Sequence, residues 1–250
     1  MDGGMLAQVR SPQGIYKQSI SKEAEIGFKM AFNDGRVFAY CRDGGAGLTM
    51  GELVQAPAVD TTNDIGIAVI AAAKATDKQL SVTILSAHGT FAANAYAGGW
   101  LLIDYHTEQG LARKIKSHGA FTTGADATVV FKFRDELGVA VAVATHTVKL
   151  LANPYNLVVV NATITGLGSN TGRTLGVNLI DITANYYFWL LTRGIGPGKN
   201  DDGAAIEEGT DLTAEGTDVQ IMTAFGDPLV GTAASYCADN SKSLLVDYKL

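Results

Sequence analysis

The sequence predicts an all-β protein: an antiparallel sandwich or barrel-like β domains joined by short turns, with an extended N-terminal arm. Three observations carry this. Apolar residues alternate with small or polar ones over short runs, Gly, Asn and Asp separate those runs, and no segment keeps the helical period long enough to form a βαβ crossover. The composition is that of a packed globule, since 47% of the 250 residues are hydrophobic, 18% are charged, and 29 Gly stand against 5 Pro.

Residues 1–20 form the arm. The segment "MDGGMLAQVRSPQGIYKQSI" is polar, interrupted by Pro12 and by glycines, and has no sustained period. It carries too little apolar surface to order alone, so Leu6, Val9, Ile15 and Tyr16 are the candidates for anchoring it on a neighbouring subunit. Residues 21–250 form the β-rich body, either one large unit or two subdomains at about 21–150 and 151–250.

The body opens with Ile26, Phe28, Met30 and Phe32 alternating with Gly27, Lys29 and Ala31, which places the large groups on one sheet face; a helix over 23–32 is the competing reading. Asn33-Asp34-Gly35 tolerates the left-handed backbone of a tight reversal, and "RVFAYC" resumes an extended strand, so the pair reads as a β-hairpin. A second hairpin is expected from 100–105 through Gly110 into Leu111, Ala112, Ile115 and Lys116. A third is expected around 134–138, and single strands at 80–85, 157–160, 186–191 and 243–248. One pattern occurs twice: Leu48-x-x-Gly51-x-x-Val54-x-Ala56 and Ile206-x-x-Gly209-x-x-Leu212-x-Ala214 both follow an aromatic strand and a glycine-rich turn, which suggests one supersecondary unit used twice.

Chemistry is sparse. Cys41 and Cys237 lie far apart, outside any CxxC pattern, and read as small buried residues. His88, His106, His118 and His146 show no HxH or HExxH spacing, so no metal site is predicted. The acidic stretch "DDGAAIEEGTDLTAEGTD" lacks the EF-hand spacing and reads as a solvated loop. Asp104, near Trp100 and Tyr105, reads as an outward-facing strand residue rather than part of a sugar site, and "GLGSNTG" lacks the GK[ST] ending of a phosphate loop. No catalytic residue and no cofactor is predicted.

The net charge is −6, and the acidic stretch from Asp201 to Asp218 holds seven acids without a Lys or Arg, leaving the remainder at about +1. A nearly neutral body without a basic stripe argues against nucleic acid as a partner. The longest apolar run, about 65–73, is shorter than the ~20 residues of a spanning helix, and "MDGGMLAQVR" lacks a signal-peptide layout, so the expectation is a soluble protein without a membrane partner.

Several segments taken in order carry a family resemblance: "DGRVFAYCRDGGAGLTMGELVQAP", "GGWLLIDYHTEQGLARKIKSH", "LLANPYNLVVV", "GVNLIDITANYYFWLLTRGIGPG" and a late "PLVGTA". Asp34-Gly35-Arg36, Asn153-Pro154-Tyr155 and Tyr186-Tyr187-x-Trp189-Leu190 are the most telling pieces. From about Phe28 onward the chain resembles the head decoration, or cement, proteins of tailed phages; the acidic insertion after Gly198 departs from that pattern. The resemblance implies a β-rich, non-catalytic homotrimer on the outer surface of the capsid that holds neighbouring major capsid proteins together. A phage surface or tail β-module that binds host carbohydrate is the alternative. It requires exposed aromatics such as Trp100 or Trp189 beside carboxylates, whereas the cement reading expects Trp189 buried in its sheet.

Overall fold

The computed structural model describes residues 13–58, 66–105, 109–143, 146–161, 172–200, 205–215, 218–221, 229–238 and 243–250. Among these the chain is all-β and contains no helix. It divides into two compact units, one built from the chain up to Pro57 and from Tyr155 onward, the other from the segment between them, Ala58–Pro154.

In chain order the first unit supplies β1 (Lys29–Ala31), β2 (Val37–Asp43) and β3 (Leu53–Gln55). The inserted unit holds β4 (Ile67–Val69), β5 (Gln79–Ile84), β6 (Trp100–Tyr105), β7 (Ala112–His118), β8 (Ala127–Phe133) and β9 (Thr147–Leu151). The first unit is completed by β10 (Asn156–Val160), β11 (Thr174–Asn178), β12 (Tyr187–Lys199), β13 (Asp211–Glu215), β14 (Asp218–Ile221), β15 (Leu229–Ala233) and β16 (Ser243–Lys249). The division is therefore nested, and differs from consecutive halves at about 21–150 and 151–250. The reason is long-range pairing: β2 joins β10 and β12, and β3 joins β10 and β11, so the first 57 residues complete a sheet whose other strands lie beyond the insertion.

The first unit is one ten-stranded sheet ordered β1-β2-β10-β3-β11-β12-β16-β15-β13-β14, and the further pairing of β2 with β12 closes β2, β10, β3, β11 and β12 into a ring. β2 and the first half of β12, up to Thr192, are buried on both faces. Ala39, Cys41, Phe188 and Leu190 pack with Val54, Val158 and Leu175, while Phe38, Tyr40, Trp189 and Leu191 pack with Leu212, Val230, Val246 and Tyr248. Two-sided burial explains why "VFAYC" and "YFWLL" are continuous apolar runs where a half-buried strand would alternate.

The expected first hairpin is present: β1 pairs antiparallel with β2 around Gly35, whose φ is +87°. Its first strand is shorter than the alternation suggested, because Gly27 turns the chain at φ +83°, and no helix occupies 23–32. Gly35→Val should cost ~1 kcal/mol or more in thermal melts, since a β-branched residue is strained at positive φ.

The inserted unit is a closed antiparallel barrel, β4-β5-β8-β7-β6-β9. Its interior is filled by Ile67, Leu80, Val82, Leu101, Ile115, Phe131 and their neighbours, as the inward positions of a small barrel must be. The hairpin of β6 and β7 turns at Gly110 as expected. The hairpin expected around 134–138 is absent: β8 is already paired on both edges, with β5 and β7, and the next strand begins only at Thr147.

The repeated sequence pattern is one instance of a wider unit. Leu48 and Ile182, Ala73 and Val141, Phe91 and Phe121, and Ile206 and Cys237 form four isolated bridges, each exchanging both backbone N–H···O bonds at 2.8–3.0 Å. All eight residues are buried, and Leu48, Ala73, Phe91, Phe121, Ile182 and Ile206 each precede a turn that leads into the next strand. Gly51 and Gly209, the matched glycines of the pattern, take φ +83° and +87° in those turns. Each bridge satisfies the backbone where the chain enters a core, and its side chains join that core.

Candidate interaction surfaces

The groups that sequence reading singled out for chemistry serve the fold where they are described. Cys41 and Cys237 are both buried, and burial raises the Cys41 thiol well above its ordinary pKa, the opposite of an activated nucleophile. Asp104 pairs with Lys149 at 3.1 Å across the β6–β9 contact. No group of three or more His, Cys, Asp or Glu among the described residues is arranged to hold a metal ion. His106 and residues 162–171, which include most of "GLGSNTG", lie outside the described residues, as does part of the acidic stretch.

His118 sits at the end of β7 among Phe91, Tyr96 and Phe131, with ring centroids 5.0–5.7 Å away. Its Nε2 accepts the Tyr96 N–H at 2.9 Å and its Nδ1 donates to the Gly119 carbonyl at 2.6 Å, which assigns the neutral Nδ1–H tautomer. Burial lowers its pKa. A depressed folded pKa means that the unfolded chain binds more protons: stability is full above the ordinary value near 6.5 and is lost as pH falls from there through the folded pKa. Melting temperature should therefore drop on acidification below that value. His118→Gln should melt lower at neutral pH but show a shallower acid dependence than wild type; equal slopes would contradict the assignment.

Of the expected arm anchors, Leu6 and Val9 lie outside the described residues. Ile15 packs against its own chain's core, the cluster that includes Phe38 and Trp189, and Tyr16 is 60% exposed with its hydroxyl 3.5 Å from Arg36. Sequence reading missed Gln13. This buried residue donates from Nε2 to the carbonyls of Lys17 (2.6 Å) and Tyr187 (3.1 Å), accepts the Tyr40 hydroxyl at 2.9 Å, and offers its carbonyl to the Trp189 indole N–H at 3.0 Å. Ser19 then forms a reciprocal bridge with Tyr187, so segment 13–19 is fastened to β12 of its own chain. The available signal was indirect: a buried Trp and a buried Tyr both need polar partners.

On β12 and β16 the outward row brings Ile195 (53% exposed) opposite Asp247 and Pro197 opposite Leu245 (49% exposed), an apolar strip on the first unit. Beside it an open groove of about 680 Å³ is lined by Arg193, Glu208, Asp247 and Lys249 among others. On the inserted barrel Trp100 is 46% exposed between its cross-strand neighbours Leu151 and Lys114. A second open groove, about 510 Å³, is lined by Lys78, Gln79, Lys116, Lys132 and Arg134, with Asp77 as the one carboxylate among its described residues. Sequence reading did not find this groove, because its cations come from β7, from β8 and the residue after it, and from the residue before β5, which only the barrel register brings together.

No family model, no curated protein and no solved structure matches this chain.

Proposed function

We propose that the protein is a phage head decoration, or cement, protein that binds the outside of the capsid, as a homotrimer, and reinforces contacts between major capsid protein subunits without catalysis. The observation that carries the reading is the strip of Ile195, Pro197 and Leu245. It is an apolar face held rigid by seven consecutive pairings of β12 with β16, on a unit whose Trp189 is buried in its core. Surfaces of this kind act by area: an interface above ~1,000 Å² repeated around a shell resists internal pressure without any single strong contact. The family resemblance of the sequence points the same way.

The test is sedimentation of purified protein with phage heads lacking it. Wild type should co-sediment and raise the temperature at which the heads rupture, and Ile195→Asp with Leu245→Asp should weaken attachment at least ~10-fold, as expected when two central apolar contacts are replaced by desolvated charges. Wild type that stays in the supernatant would refute the reading. One observation favours the carbohydrate-binding alternative, the exposed face of Trp100. Its strand neighbours are Leu151 and Lys114 rather than carboxylates, and a glycan-array signal lost in Trp100→Ala would support that function instead.

A further inference from the structure

We propose that the basic groove of the inserted barrel is a receptor for the acidic segment of a second copy of this chain, with Glu207, Glu208 and Asp211 of one copy lying against Lys78, Lys116 and Lys132 of the next. This does not depend on the capsid reading, because it concerns the isolated protein alone.

The charge distribution motivates it. The inserted unit carries eight Lys or Arg and eight Asp or Glu, whereas the rest of the chain carries eleven against seventeen and so holds the entire net charge of −6. Within the neutral barrel the cations are gathered. Lys132 on β8 lies opposite Gln79 on β5 and opposite Ser117 on β7, which places Lys78, just before β5, and Lys116, the preceding residue of β7, beside it. All three lysines are exposed. Like charges on adjacent strands repel, an arrangement that destabilises the sheet unless an anion lies over it. The lining carboxylate, Asp77, has its Oδ2 committed to the Lys74 backbone N–H at 2.7 Å.

The chain supplies a matching anion. Glu207, Glu208 and Asp211 are all exposed, and they follow one another through the turn that the Ile206–Cys237 bridge fixes on the body of the first unit. The two surfaces are on different units and are not copies of each other, so the contact is heterologous: it runs head to tail and closes into a ring when the rotation permits. Between such surfaces salt weakens attraction strongly, because the pairs are solvent-exposed.

Sedimentation velocity of purified protein tests this. Wild type should form a concentration-dependent oligomer at about 50 mM salt that dissociates at about 500 mM, where screening is several-fold shorter in range. Lys116→Glu with Lys132→Glu, and separately Glu207→Lys with Glu208→Lys, should each weaken association at least tenfold while leaving the circular dichroism spectrum unchanged. The four changes together should restore it, and so should mixing the two double variants. A wild type that is monomeric under all these conditions, or an oligomer indifferent to both double variants, overturns the proposal. Groove-dependent binding of a polynucleotide by a non-associating wild type overturns it too, by assigning the groove to phosphates.

Discussion

Replacing Asp43 with Ala should lower the stability of the first unit by ~3 kcal/mol, as three backbone donors lose one acceptor. Asp43 is 1% exposed, at the end of β2, and its Oδ2 accepts the N–H groups of Gly45 (2.7 Å), Gly47 (3.2 Å) and Asn185 (2.9 Å). The first two belong to the loop that "DGGAG" forms; the third belongs to the turn before β12. One carboxylate thus ties together two turns at neighbouring strands of the five-stranded ring. An unmet donor costs about 1–3 kcal/mol when buried, and water reaches Gly45 and Asn185, so the lower part of that range applies to each. Asp43→Asn keeps an acceptor oxygen and should lose about half as much. In a melt, each kcal/mol is worth roughly 2–4 °C for a unit of this size, so the Ala variant should shift the transition by about 6–12 °C. A shift smaller than that of the Asn variant would show that the loop is held by something else.

The same residue marks how far the sequence could be read. "CRDGGAG" announces a turn through its glycines, and that was legible, as were the strands expected at 100–105 and 243–248, whose alternation is local. That Asp43 binds a turn some 140 residues away was not, because nothing local encodes it. Nesting was hidden for the same reason. Val54 and Gln55 choose partners beyond an insertion of about a hundred residues, and the runs they sit in read alike whether their partners are near or far. The false hairpin around 134–138 shows the converse error: Gly138 does turn the chain, at φ +77°, but both edges of the preceding strand were already occupied. Surface function suffered most. The basic groove is a product of register across three strands, and the apolar strip on β12 and β16 needs two strands about fifty residues apart.

Gln13→Ala should be comparably costly, ~3 kcal/mol, and its consequences separate two views of the arm. The amide holds two carbonyls and one hydroxyl, and with it gone the Tyr187 carbonyl keeps only the Ser19 N–H. Tyr40 still accepts the Glu23 N–H through its hydroxyl oxygen, but its own proton loses its acceptor; burial raises its pKa, so it cannot escape by ionising near neutrality. The Trp189 indole depends on the Gln13 carbonyl staying in place. Loosening this segment should therefore shift Trp189 fluorescence to the red, read cleanly in a Trp100→Phe background since Trp100 is already half exposed. Gln13→Glu is the sharper control. At neutral pH its carboxylate would face the Lys17 and Tyr187 carbonyls where the amide N–H groups were, so it should destabilise more than Ala does. Folding then favours the protonated acid and raises its pKa: the variant is most stable below the ordinary glutamate value near 4.3 and loses stability as pH rises through the raised one. Truncation completes the comparison. Removing residues 1–19 should lower the melt by at least as much as Gln13→Ala, and by more than removing 1–12 does, because only the longer truncation deletes Gln13 and the Ser19 bridge to Tyr187. Equal melts for the two truncations would show that segment 13–19 contributes nothing to the fold.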